Sequence, residues 1–244
     1  MLSKSEIKYI QSLFQKKYRE AENCYLVEGP KIVDEALKSA GTAVKKIFGA
    51  ANWVDQHQSR YPEIQMTIAT DFELQKISQL KTPNQVIALI EKPERLQPGQ
   101  ATAKNSTLVL DGIQDPGNLG TIIRTADWFG IPQVICSLDC ADIYNSKVVQ
   151  SAMGSLFHVP VYYVSVPQWL QTQQTGILGA VLDGTPLKKT SLLNTGVLII
   201  GNESKGIRPE VARFLTRKVT IEKNGAAESL NAAVAAGILL SHLN

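Results

Sequence analysis

The chain has 244 residues, 44% of them apolar, and a formal net charge of +3. That leaves room for one large domain or two small ones, and the charge is too weak to announce nucleic acid by itself. No apolar run approaches the ~20 residues needed to span a bilayer, and the start, MLSKSEIKYIQ, lacks the core of a signal peptide, so a cytoplasmic protein with no membrane partner is expected.

The front of the chain opens with Ser3 and Glu6 in capping-box spacing, followed by Ile7, Ile10, Leu13 and Phe14 along one face of a helix. Within residues 1–19, Lys4, Lys8, Lys16, Lys17 and Arg19 gather against the single acid Glu6, forming either a solvated helix face or a surface for a phosphate backbone. Short segments then alternate: strands at 24–29, 45–49, 64–69 and 85–91, helices at 30–40, 52–58 and 71–80, the last with Asp71 at its cap. They predict a compact α/β domain over residues 1–92. Pro93, Pro98, Gly99 and several Gln then break the periodicity, so residues 93–106 read as a linker.

Residues 107–244 repeat the alternation with more apolar strands, TLVLD, QVICS, HVPVYYV, ILGAVLD, VLIIGNE and KVTIE, and close on ESLNAAVAAGILLSHL. Such strands separated by helices predict a parallel sheet covered on both faces. Ligands of such sheets sit beyond the carboxyl ends of the strands. The loop after TLVLD carries Gly112, Pro116, Gly117, Asn118, Gly120 and Arg124. It fails as a Walker loop, because Asn118 stands where Lys is needed, and as a dinucleotide fingerprint, because Gly117 and Gly120 do not complete G-x-G-x-x-G. What remains is Asn118 at the mouth of a helix with Arg124 on the helix itself, placed to face one ligand; the plainer alternative is an Asn cap followed by an exposed Arg.

The loop after VLIIG adds Gly201, Asn202, Glu203 and Gly206, with a carboxylate at the end of a buried strand. The loop after VTIE adds Gly225, then Ser229, Leu230 and Asn231 at the start of a small-residue helix that Ser229 is positioned to cap. Other candidates are weaker. His57, His158 and His242 accompany no Ser/Asp or Cys pattern. Cys24, Cys136 and Cys140 form neither a disulfide framework nor, with further Cys or His, a zinc site, so a reducing compartment and no metal are expected. Trp128 and Phe129, just beyond Arg124, are expected in the core or in a subunit contact.

Taken together, these three blocks resemble the three motifs of the SpoU/TrmH family of RNA ribose 2′-O-methyltransferases, within the SPOUT superfamily, across residues 107–244. The front part is similar to the small α/β RNA-binding domain, shaped like a ribosomal protein, that precedes the catalytic domain in many members acting on ribosomal RNA. The resemblance implies S-adenosylmethionine as cofactor, a homodimer with its active sites near the subunit interface, and a deep trefoil knot, a rarity that no periodicity announces. It assigns Arg124 to the ribose 2′-hydroxyl, Asn118 as its neighbour, and Glu203, Ser229 and Asn231 to the same polar catalytic cluster. Gly201, Ile221 and Leu230 fall where the family holds the adenosyl moiety, and Leu182 and Gly184 on the preceding loop are further candidates. The chain departs from the family pattern at Glu222 and Lys223, where Pro and Met are usual, and at Ser204 and Lys205, which precede Gly206.

The implied reaction is methylation of a ribose 2′-hydroxyl in structured RNA, ribosomal RNA first, a group that only RNA carries. A guanidinium stays protonated, so Arg124 is read as holding the phosphate and hydroxyl and stabilising developing alkoxide charge. Proton removal by Arg124 itself would need a strong local perturbation. The alternatives are a catalytically silent RNA-binding protein of the same fold and a transfer-RNA ribose 2′-O-methyltransferase.

Overall fold

The computed structural model describes residues 1–94, 97–102, 105–189 and 196–243, so the expected linker 93–106 lies partly outside the described residues. The chain divides into two compact units, Met1–Glu94 with Tyr144–Phe157, and Arg95–Ile143 with His158–Asn244.

The first unit begins with α1 (Lys4–Ser12), closed at its start by the expected Ser3/Glu6 capping box. The apolar face does not continue as one helix. The chain breaks after Ser12 and resumes as α2 (Lys16–Ala21), and Arg19 fills the gap by donating from Nη1 to the carbonyls of Leu13 at 2.9 Å and Phe14 at 2.8 Å. Carbonyls at a helix end lack intrahelical partners, and a cation there is favourable. Arg19 is buried as a result and is not available to a phosphate backbone, which corrects its place among the RNA-contacting residues.

Next come β1 (Cys24–Glu28), α3 (Pro30–Lys38), β2 (Val44–Gly49), α4 (Ala51–His57), β3 (Met66–Ile68), α5 (Asp71–Ile77) and β4 (Val86–Glu91). The cap of α5 is Thr70, with Glu73 completing a capping box; Asp71 is the first helical residue. The sheet order is β1-β4-β2-β3, antiparallel but for the β2/β3 pair. Side chains of a strand alternate between faces. Tyr25 and Val27 join Ile32, Val33 and Trp53 on one side, while Cys24 and Leu26 join Ile10, Leu13, Leu74 and Ile77 on the other.

The second unit is built on a six-stranded, fully parallel sheet, as the apolar strands predict. In chain order its elements are β5 (Thr107–Asp111), α6 (Pro116–Trp128) and β6 (Val134–Ser137). Helix α7 (Ser146–Ala152) follows and joins the first unit, where Val149 enters the core beside Tyr25 and Val27. The chain returns as β7 (Val161–Val164), α8 (Val166–Gln171), β8 (Ile177–Pro186), β9 (Val197–Gly201), α9 (Pro209–Ala212), β10 (Arg217–Thr220) and α10 (Ala232–Leu240).

The sheet order is β10-β8-β9-β5-β6-β7. Strand β7 starts later than HVPVYYV suggests because Pro160 has no N–H to give to the ladder. Val109, Ile135, Val197 and Ile199 pack against Val166, Leu170 and Val211 on one face. Helices α6 and α10 pack on each other and bury Leu119, Ile122, Ile123, Ala236 and Leu239 completely, each large side chain contributing about 1.5–3 kcal/mol.

Candidate active site

The motif loops leave the carboxyl ends of β5, β9 and β10. Strand β5 ends on Asp111, whose side chain is fully buried, and Arg208 grips it three ways, from backbone N at 2.8 Å, from Nε at 2.8 Å and from Nη2 at a shorter distance. This contact holds the guanidinium of Arg208 above its ordinary pKa. Asn202 Nδ2 donates to the carbonyl of Gly112 at 2.8 Å. Ser137 Oγ accepts from Gly112 N at 2.9 Å and donates to Asp139 at 2.7 Å, which pulls the Asp139 carboxyl below its usual range. These bonds tie the loop after β9 to the loop after β5.

The loop after β9 is itself a tight hairpin. Asn202 and Gly206 exchange backbone hydrogen bonds, Asn202 Oδ1 accepts from Ser204 N and Lys205 N, and Gly206 takes a positive φ of 67°. Gly201 is required because a Cβ there would lie 2.3 Å from the carbonyl carbon of Gly206. The closeness of the two strands of this hairpin shapes one wall of a crevice of about 600 Å³.

Leu182, Gly201, Ile221 and Leu230 line that crevice, together with Glu203 and Ser229. Gly184 does not. It sits where β8 meets β10, and a Cβ there would lie 2.5 Å from the backbone of Val219, so its role is close strand packing. Glu222, one of the departures from the family pattern, also lines the crevice and accepts from Lys188 N at 3.3 Å. Lys205 and Lys223 are exposed on its rim.

Asn118 is not the cap of α6. Asp115 is, accepting from Asn118 N at 2.8 Å, which releases the Asn118 side chain for the site. Asn118 Nδ2 donates to Glu203 Oε1 at 2.5 Å, and its Oδ1 accepts from Asn231 Nδ2 at 2.9 Å. Asn231, rather than Ser229, caps α10, its Oδ1 accepting from Ala233 N and Val234 N. One relay therefore joins all three motifs, and the two opposite bonds on the Asn118 amide fix which way it faces.

Ser229 is exposed at the crevice, and Arg124 is exposed on α6 with no hydrogen bond or ion pair among the described residues. Glu203 is engaged by Asn118 and makes no ion pair with Arg124 among the described residues. Trp128, a turn beyond Arg124, is 84% exposed and outside the core. Sequence reasoning missed Asp111 and Arg208, and gave Asn202 no contact beyond its own loop. The usable signal was a carboxylate ending an otherwise apolar strand, the same signal that singled out Glu203.

Comparison with known proteins agrees with this geometry. Residues 105–241 match the SpoU rRNA Methylase family, and residues 4–88 match the MRM3-like substrate binding domain. The chain is 35% identical to the Bacillus subtilis 23S rRNA (guanosine(2553)-2′-O)-methyltransferase RlmP, over 98% of this chain and 95% of that protein. Among solved structures it is similar to an AdoMet-bound rRNA methyltransferase from Sinorhizobium meliloti, with a TM-score of 0.88, 28% identity and coverage of 99% and 95% of the two chains. A Porphyromonas gingivalis protein placed in the TrmH family of RNA methyltransferases gives a TM-score of 0.86 at 35% identity, covering 99% of this chain and 98% of that one.

Proposed function

The chain belongs to the SpoU rRNA Methylase family, and from that membership we infer that it is an enzyme transferring a methyl group from S-adenosylmethionine to a ribose 2′-hydroxyl of ribosomal RNA. The observation that carries this reading is the Asn231–Asn118–Glu203 relay at the edge of the crevice, since it converges residues 118, 203 and 231 on one site.

The crevice suits the cofactor. Ile200, Ile221, Leu230 and Leu239 supply apolar walls for a nucleoside, backbone comes close at Gly201, and Glu203, Glu222 and Glu228 supply negative charge for a sulfonium and an ammonium. When bound, S-adenosylmethionine supplies an electrophilic methyl group. The chain's own residues position the acceptor, and positioning of this kind contributes about 7–11 kcal/mol where it is complete. Asn118, oriented by Glu203 and Asn231, holds the polar edge of the site, and Ser229 orients the nucleotide. Arg124 presents its planar fork to the substrate phosphate and to the oxygen that gains charge as the proton leaves.

Finer points follow as part of the same proposal. Residues 1–92 act as the RNA-recognition part, supported by the exposure of Lys4, Lys8, Lys16 and Lys17 and by the substrate-binding family match. The enzyme works in the cytoplasm as a homodimer. Helix α10 is apolar at every position yet leaves Val234 51% exposed, and α6 beside it leaves Arg124 and Trp128 exposed, which supports a second copy covering this face. A trefoil knot, with the carboxyl-terminal segment threaded through an earlier loop, is proposed on the strength of the family membership.

Calorimetric titration with S-adenosylhomocysteine, paired with mapping of 2′-O-methylation across ribosomal and transfer RNA in hosts with and without the protein, tests the reading. Binding and the loss of one ribosomal 2′-O-methyl are expected. Absence of cofactor binding would sink it, and a lost mark on transfer RNA alone would move the substrate.

A further inference from the structure

Helix α5 shows solvent an aromatic ring that the hydrophobic effect would otherwise hide. Phe72 is 64% exposed, and Lys76, one turn on, places its Nζ 4.0 Å from the ring centroid. Gln11 Nε2 donates to the carbonyl of Lys76 at 2.9 Å. Lys4, Lys8 and Gln11 share one stripe of α1 by their spacing, so this bond sets the stripe alongside α5.

The charge of this face is positive because most of its acids are engaged elsewhere. Glu6 is held by Lys46 at 2.8 Å and by its own capping box, on the far flank of α1. Glu73 is buried, accepting from Leu2 N at 2.6 Å and from Thr70. Lys4 and Lys8 remain exposed, as does Asp71, an acid on α5.

We propose that Phe72, with Lys4, Lys8 and Lys76, forms a docking platform for an unpaired segment of the RNA substrate, the ring stacking on one base and the ammonium groups lying against neighbouring phosphates. This rests on the reading of the protein as an RNA methyltransferase. The ring selects an unpaired segment, because a paired base keeps its faces inside the helical stack, whereas a splayed base offers a face to an aromatic side chain. The ammonium groups select a polyanion over an apolar protein surface.

The test uses the full-length enzyme, a ribosomal RNA transcript and S-adenosylhomocysteine. Phe72→Ala is expected to raise the KM for RNA about 5- to 150-fold, the range of one base stack. Phe72→Tyr restores it, and kcat and cofactor affinity stay at wild-type values. Lys8→Glu and Lys76→Glu are each expected to weaken RNA binding and to flatten its logarithmic salt dependence by about one. Phe72→Ala with a wild-type KM for RNA, in an enzyme that still methylates, overturns the platform. A fall in cofactor affinity matching the rise in KM overturns it as well. A wild-type protein that binds S-adenosylhomocysteine and methylates no RNA overturns the functional reading instead.

Discussion

Asp111 and Arg208, ninety-seven residues apart in sequence, clamp the end of β5 to the loop that follows β9. The carboxylate is fully buried and the guanidinium about one-third exposed, so removing the cation leaves a buried charge with one backbone N–H. Arg208→Ala is expected to loosen the crevice wall at 201–207, weakening S-adenosylhomocysteine binding roughly tenfold or more and lowering the thermal midpoint. Arg208→Lys keeps the charge but not the fork and is expected to fall between. An Arg208→Ala protein with wild-type cofactor affinity would show that the clamp is irrelevant to the crevice.

Gly201 and Gly225 give opposite expectations from one crevice. A methyl group at Gly201 meets backbone at 2.3 Å, whereas Gly225 has open space around its Cβ position. Gly201→Ala must push the hairpin apart, at a cost of about 1–3 kcal/mol in unfolding free energy and with loss of cofactor binding. Gly225→Ala stays within about 0.5 kcal/mol. Chemical denaturation and calorimetry on both variants decide it; equal behaviour of the two would mean the hairpin yields.

Helix α7 makes the first unit discontinuous in sequence. Val149 is buried with Tyr25, Val27 and Ile90, and Tyr144, Leu156 and Phe157 pack against the same cluster. A fragment of residues 1–94 therefore lacks one side of its core and is expected to bind a hydrophobic dye and unfold without a sharp transition. In the full chain, Val149→Ala should cost about 1–3 kcal/mol. A sharply unfolding fragment would mean that α7 adds little.

Glu6 gives the first unit an acid sensitivity of defined sign. Its hydrogen bond from Lys46, then those from Ser3, pull its carboxyl from 4.5 to about 2. A folded-state pKa below the unfolded value adds stability that is complete above the ordinary pKa and is lost as pH falls through the depressed one. Wild type should exceed Glu6→Gln in urea stability at pH 6, and the gap should close between about pH 4.5 and 2. A gap that stays constant over that range would assign the effect to packing.

The strands and the three motif loops were legible because each is local: apolar runs end on Asp111, Gly201 and Thr220, and polar residues follow at once. Capping was only partly legible. Asp71, Asn118 and Ser229 lie one, three and two residues from the true caps Thr70, Asp115 and Asn231, and propensity does not separate nearby residues of similar chemistry. What stayed hidden is long-range. The basic residues near the amino end look alike in sequence, yet Arg19 turns inward because α1 stops short and leaves carbonyls to satisfy. Val148 and Val149 announce burial without saying against what, and nothing near Asp111 names Arg208.

Arg124 poses the sharpest chemical test because its guanidinium is exposed and pairs with no acid among the described residues, while Glu203 is already engaged by Asn118. Its fork is thus available to substrate, and a planar group that donates in two directions at once does what an ammonium cannot. Arg124→Lys should leave S-adenosylhomocysteine affinity and thermal stability unchanged and lower kcat by about 10²–10³, the range for removing one donor that stabilises transition-state charge. Asn118→Ala should differ in kind, because it also frees Glu203 and Asn231, and a fall in cofactor affinity should accompany its loss of turnover. Single-turnover methylation with both variants separates these outcomes, and near-native turnover by Arg124→Lys would remove the guanidinium from the chemistry.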